Sequence, residues 1–153
     1  MVVQTGTRGA ETAAAQAKDA PEWLRLVPFL DDMGGAYAAA SLAVTRAGAM
    51  TLAELSAAGV PSILVPYPYA SGDHQTDNAK RHAARGAARV IAQSELTGEG
   101  LATQLRELLG DGVKLAAMRE AAVEGESAGA RERIADSCEK WLGGGGDVVP
   151  QDS

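Results

Sequence analysis

Residues 42–65 read LAVTRAGAMTLAELSAAGVPSILV, and the way this stretch divides decides the fold. Residues 42–45 make a short strand that stops at a charged residue, Arg46, and a lone glycine, Gly48. Residues 49–58 then carry a helical pattern with Gly59 as its C-cap, and residues 62–65 make a second strand ended by Pro66 and Pro68. A helix between two strands is the crossover that parallel pairing requires. One residue is odd in this frame. Glu54 places a carboxylate on the opening turn of a helix that follows a strand directly.

The same alternation extends outward in both directions. Val2 and Val3 are the stub of a strand, residues 9–20 an alanine-rich helix ending before Pro21, and residues 23–27 the next strand, closed by Pro28. Asp31 offers an N-cap for a helix through Ala40. Beyond the central stretch, residues 68–72 form a loop of turn formers, Asp73 caps a helix to about Arg85, and residues 88–92 are the last strand. Helices are expected over 98–109, 113–124 and 130–142, and the tail from Gly143, GGGGDVVPQDS, is expected to be disordered. This is the α/β class: a doubly wound, Rossmann-like parallel sheet in one domain over residues 1–142, with helices on both faces. The short opening strand looks like a start partway into such a domain.

Composition bounds the function. With 153 residues, 46% of them apolar and 22% charged, the chain can build one packed core. Fourteen basic against 20 acidic residues give a net charge of −6, which argues against a nucleic-acid surface and against a grip on an anionic membrane. No stretch approaches the roughly 20 apolar residues of a membrane helix. Cys138 is the single cysteine, so no intramolecular disulfide can form, which fits a reducing cytoplasm, and in a helical pattern it reads as a small buried hydrophobe.

In open parallel sheets, ligands bind at the carboxyl ends of the strands, and three loops here lie at that edge. In VTRAGAMTLAE, residues 44–54, Gly48 lets the backbone turn or a ligand approach closely. The helix behind it offers free N–H groups at Ala49, Met50 and Thr51, a seat for a phosphate. Glu54 would repel a phosphate but could accept hydrogen bonds from the two hydroxyls of a ribose just beyond. The plainer reading is a capping box between Thr51 and Glu54, and the pattern leaves both open. In SGDHQTDNAKRHAARG, residues 71–86, His74, Gln75 and Asn78 share one end of a helix, and amides that both donate and accept suit sugar hydroxyls. The plainer reading there is a polar helix start. In VPFLDDM, residues 27–33, the adjacent Asp31 and Asp32 fit a cap better than a metal pair, and the backbone of Phe29 and Leu30 could read the edge of a base. His74 and His82 stand at no metal-ligand spacing, so no metal is expected.

The ordered set FLDDM, RAGAMTLAEL, AAGVPSILVPYP and DHQTDNA resembles the donor-sugar half of MurG-type glycosyltransferases, from about Gln4 to about Trp141. That family transfers N-acetylglucosamine from UDP-GlcNAc to the lipid-linked muramoyl-pentapeptide of peptidoglycan synthesis. The resemblance implies the C-terminal half of a GT-B fold and no cofactor. It implies that Leu30 contacts uracil through its main chain, that Ala49, Met50 and Thr51 line the pyrophosphate and nucleoside, and that Glu54 holds the ribose hydroxyls. It further implies that Gln75, with His74 beside it and Asn78 one turn on, holds the sugar hydroxyls, while Arg46 orients the loop that carries Gly48.

Two departures from the family pattern stand out. The acceptor-binding domain that precedes this stretch in the family is absent from the chain, as are the first strand and Gly-rich loop of the donor domain. The family's catalytic base and membrane-touching patch belong to that missing domain, so no catalytic residue and no membrane insertion are expected here. The resemblance implies an inverting, metal-independent enzyme, peripheral on the cytoplasmic face of the inner membrane. The alternative is a free-standing nucleotide-sugar-binding subunit whose separate partner chain binds the acceptor. A third reading is a fragment whose open sheet edge drives self-association.

Overall fold

The computed structural model describes residues 1–69 and 73–127. The helix expected over 130–142, the tail from Gly143 and Cys138 lie outside the described residues. The chain divides into two compact units, one spanning Met1–Ala39 and the other beginning at Ala40.

The first unit runs β1 (Val2–Gln4), α1 (Ala10–Gln16), β2 (Arg25–Val27) and α2 (Met33–Ala39). β1 and β2 pair in parallel with Val3 opposite Leu26. Asp32, rather than the expected Asp31, caps α2: its Oδ1 accepts a 2.8 Å hydrogen bond from Gly35 N, and its carbonyl accepts from Ala36 N. The cap carboxylate lies so close over the turn that a Cβ at Gly35 would collide with it.

The second unit runs β3 (Ala43–Thr45), α3 (Ala49–Ala58), β4 (Ser62–Leu64), α4 (His74–Ala84), β5 (Ala88–Val90), a 3₁₀ turn (Gln93–Glu95), α5 (Gly98–Leu109) and α6 (Gly112–Ser127). The strands are all parallel in the order β3-β4-β5. β4 is central and buried along its whole length, as an apolar run with neighbours on both edges must be. Ile63 packs with Leu108 of α5 and Met118 of α6, flanked by Leu101, Leu105 and Leu115.

The strand–helix–strand reading of residues 42–65 holds, and α3 has the expected bounds. Gly59 closes it in the left-handed region at φ 62°, donating to Ser56 O while Val60 N donates to Leu55 O. This is the double hydrogen-bond ending that glycine makes cheap. α6 crosses at that point, where a Cβ on Gly59 would stand 2.9 Å from Val123 Cγ2. The parallel strands and flanking helices are those expected, but hydrogen bonding divides them into sheets of two and three strands.

Candidate functional site

The carboxyl ends of β3, β4 and β5 converge on a small set of polar side chains. The chain leaves β3 through Arg46, Ala47 and Gly48. Gly48 is the N-cap of α3 at φ −66° and ψ 143°, and no side chain caps it. The first helical hydrogen bond runs from Leu52 N to Gly48 O at 3.0 Å, so Ala49, Met50 and Thr51 carry the opening N–H groups of the helix. Met50 is 75% exposed there.

This register overturns one expectation. Thr51 is the third helical residue and not the cap, so the capping box with Glu54 does not form, and Glu54 lies in the second turn rather than the first. A side chain caps only from a residue outside the helix, with extended backbone, and glycine holds that place. Glu54 is exposed.

α4 departs from expectation in a similar way. Asp73 precedes it but takes the left-handed conformation, φ 54°, and its side chain makes no capping bond. A cap needs extended backbone to swing its oxygen over the first turn, and this residue lacks it. His74 is exposed, and Gln75 and Asn78 are half-buried. Both amides turn toward the β3–α3 connection. Gln75 Oε1 accepts from Ala47 N at 3.3 Å and from Tyr67 N at 3.0 Å. Asn78 Nδ2 donates to Ala47 O at 3.4 Å. Ala47 is 0% exposed, so its two polar backbone atoms are met by side chains one helical turn apart.

Arg46 extends the same construction. Its Nη1 donates to Val65 O at 3.1 Å, to Pro66 O at 3.4 Å and to Gln93 Oε1 at 2.6 Å. Its guanidinium carbon lies 5.6 Å from the centre of the Tyr67 ring, within cation–π range, and Tyr67 meets Tyr69 edge-on with centroids 5.6 Å apart. These contacts run to the ends of β4 and β5 and to the Tyr67 ring.

The structure therefore brings together Arg46, Gly48, Gln75 and Asn78 around Ala47. Leu30 belongs to the first unit, where its N–H donates to Gln4 Oε1 at 3.2 Å. Sequence reasoning missed Ala47, Tyr67 and Gln93. Ala47 and Tyr67 act through backbone atoms that carry no side-chain signature, and Gln93 stands on a short turn with no periodicity to reveal it. Among the described residues, no three His, Cys, Asp or Glu side chains group as a metal set, and no helix is long and apolar enough to cross a membrane.

Residues 1–136 match the profile of the family described as Glycosyltransferase family 28 C-terminal domain. A curated relative from Halorhodospira halophila is 52% identical over 115 residues, covering 75% of this chain and 32% of that protein. It is named UDP-N-acetylglucosamine--N-acetylmuramyl-(pentapeptide) pyrophosphoryl-undecaprenol N-acetylglucosamine transferase. The crystal structure of Acinetobacter baumannii MurG superposes with a TM-score of 0.78 at 38% identity, covering 91% of this chain and 42% of that one. Glycosyltransferase VinC, solved in complex with dTDP, is similar at 26% identity and a TM-score of 0.64, over 82% of this chain and 32% of that one. The chain thus spans only about a third of the length of the curated relatives it matches, 32% of the one above.

Proposed function

The chain belongs to the family described as Glycosyltransferase family 28 C-terminal domain, and from that premise we propose that it is the UDP-GlcNAc-binding part of an N-acetylglucosaminyltransferase. The acceptor is the lipid-linked muramoyl-pentapeptide, and the step is the one that completes the disaccharide unit of peptidoglycan. The acceptor hydroxyl attacks the anomeric carbon from the face opposite UDP, with inversion. The carbon–oxygen bond to the β-phosphate breaks, and its electron pair leaves with UDP. The base that takes the hydroxyl proton comes from outside this chain. The whole enzyme works peripherally at the cytoplasmic face of the inner membrane.

Within this chain, the N–H groups of Ala49, Met50 and Thr51 receive the diphosphate, where the positive end of α3 stabilises the charge that develops on departing UDP. A metal ion is not required if those dipoles do that work. Glu54 accepts from the ribose hydroxyls, and His74, Gln75 and Asn78 meet the sugar.

The observation that carries this reading is the start of α3: a glycine N-cap with no side chain over it, leading to three opening N–H groups at the carboxyl edge of a parallel sheet. That is where such sheets bind phosphates. The names of the relatives and the dTDP complex of VinC agree with it. Isothermal titration with UDP and with UDP-GlcNAc tests it. Heat of binding is expected for both, and a folded sample that gives none at millimolar ligand overturns the proposal.

A further inference from the structure

We propose that Gln75 is a positioning residue for the diphosphate half of the ligand, acting through the backbone of Ala47 and Tyr67. The inference rests on the donor-binding reading above and adds to it a role that no sugar contact supplies.

The amide orientation is fixed by its partners. Two backbone N–H groups, from Ala47 and Tyr67, face one end of the Gln75 side chain, and only an oxygen can meet two donors. The facing amide of Asn78 must likewise present nitrogen, because its partner is the carbonyl of Ala47. One side chain on α4 therefore ties together the connection leaving β3 and the connection leaving β4. A second, three residues on, holds the other polar atom of the same buried alanine.

Ala47 immediately precedes Gly48, whose carbonyl accepts the first hydrogen bond of α3. Fixing both polar atoms of Ala47 fixes the direction in which the chain turns from strand to helix. The direction of the opening N–H groups follows from that turn. Without Gln75, the N–H of Ala47 would lose its partner in a fully buried residue, which the chain would relieve by shifting the turn. A corollary concerns polarity: with its oxygen twice engaged, Gln75 can meet a sugar hydroxyl only as a donor.

The test uses the whole chain in two variants. Gln75→Met keeps the length and removes the hydrogen bonds; Gln75→Glu keeps an acceptor for both N–H groups and removes the donor. Amide hydrogen exchange is read at Ala47 and Tyr67 without ligand, and NMR titrations compare UDP-GlcNAc, UDP and uridine. Gln75→Met is expected to speed exchange at both amides by about tenfold or more, and to weaken UDP by about tenfold with uridine unchanged. Gln75→Glu is expected to retain the slow exchange. Unchanged exchange and UDP affinity in Gln75→Met, with only UDP-GlcNAc weakened, would reduce Gln75 to a sugar contact and overturn the proposal. Equal weakening of UDP and uridine would also overturn it, as general loosening. If the unaltered chain binds no UDP, the donor reading fails and takes the diphosphate role with it. The exchange rates of the two amides would still report whether the tie exists.

Discussion

The guanidinium of Arg46 donates a 2.6 Å hydrogen bond to Oε1 of Gln93, a residue 47 positions further along the chain. Arg46 follows β3 and Gln93 follows β5, the two outer strands of the second unit, and the same nitrogen also reaches the carbonyls at the end of β4. One side chain thus spans the carboxyl edge of the whole sheet.

Replacing Arg46 by Ala is expected to lower stability by about 1–2 kcal/mol, because several charge-assisted bonds are lost at a partly wet edge. Chemical denaturation checks the loss. UDP affinity is expected to fall in parallel, since the edge carries the connection to α3. A variant as stable as the parent would show that these bonds merely replace water.

Glu54→Ala is expected to weaken UDP by about tenfold or more, a larger effect than its change in stability. The helix register supports this, because Glu54 does not form a capping box with Thr51. Titration and a thermal melt on the same sample separate the two effects. A large stability loss with unchanged affinity would return Glu54 to a purely structural role.

The two neighbouring aspartates before α2 should behave differently. Asp32→Ala is expected to cost about 1 kcal/mol by removing the cap on Gly35 N, and Asp31→Ala should cost little. Equal losses in urea denaturation would contradict this assignment.

Gly59→Ala is expected to destabilise by more than about 1 kcal/mol, since alanine is strained at φ 62° and its methyl would press on Val123. Calorimetry would show this as a lowered melting temperature, and an unchanged one would mean that α6 gives way freely.

Much of this was legible in the sequence, for reasons specific to particular residues. The bounds of α3 were readable because Gly59 marks a helix end by its own chemistry; α5 also has the expected bounds, and the structure shows Thr97 accepting from Gly100 N at its start. The strands are shorter than their apolar runs suggest: β2 begins at Arg25 and not at Trp23, because residues 22–23 form a turn closed by Leu24 N donating to Pro21 O, which leaves Trp23 exposed. The resemblance to MurG-type enzymes, drawn from motif order, agrees with the family profile and with the superposed structure. Side-chain pattern showed that Gln75 and Asn78 share a helix end. It did not show that they bind Ala47, because that partner offers only backbone atoms. Asp31 was the cap expected on paper, and a shift of one residue in the start of the helix gave that place to Asp32.

The two ends of α3 are anchored by different physics. Its far end sits under apolar burial at Leu55, Val60 and the Val123 contact, which strengthens relative to hydrogen bonding as the solution warms from the cold. Its near end is fixed by a few amide and guanidinium contacts, directional and open to competition from water. Warming should therefore fray the mouth of this helix while its foot stays seated, and the capacity to hold an anion should fade before the unit melts.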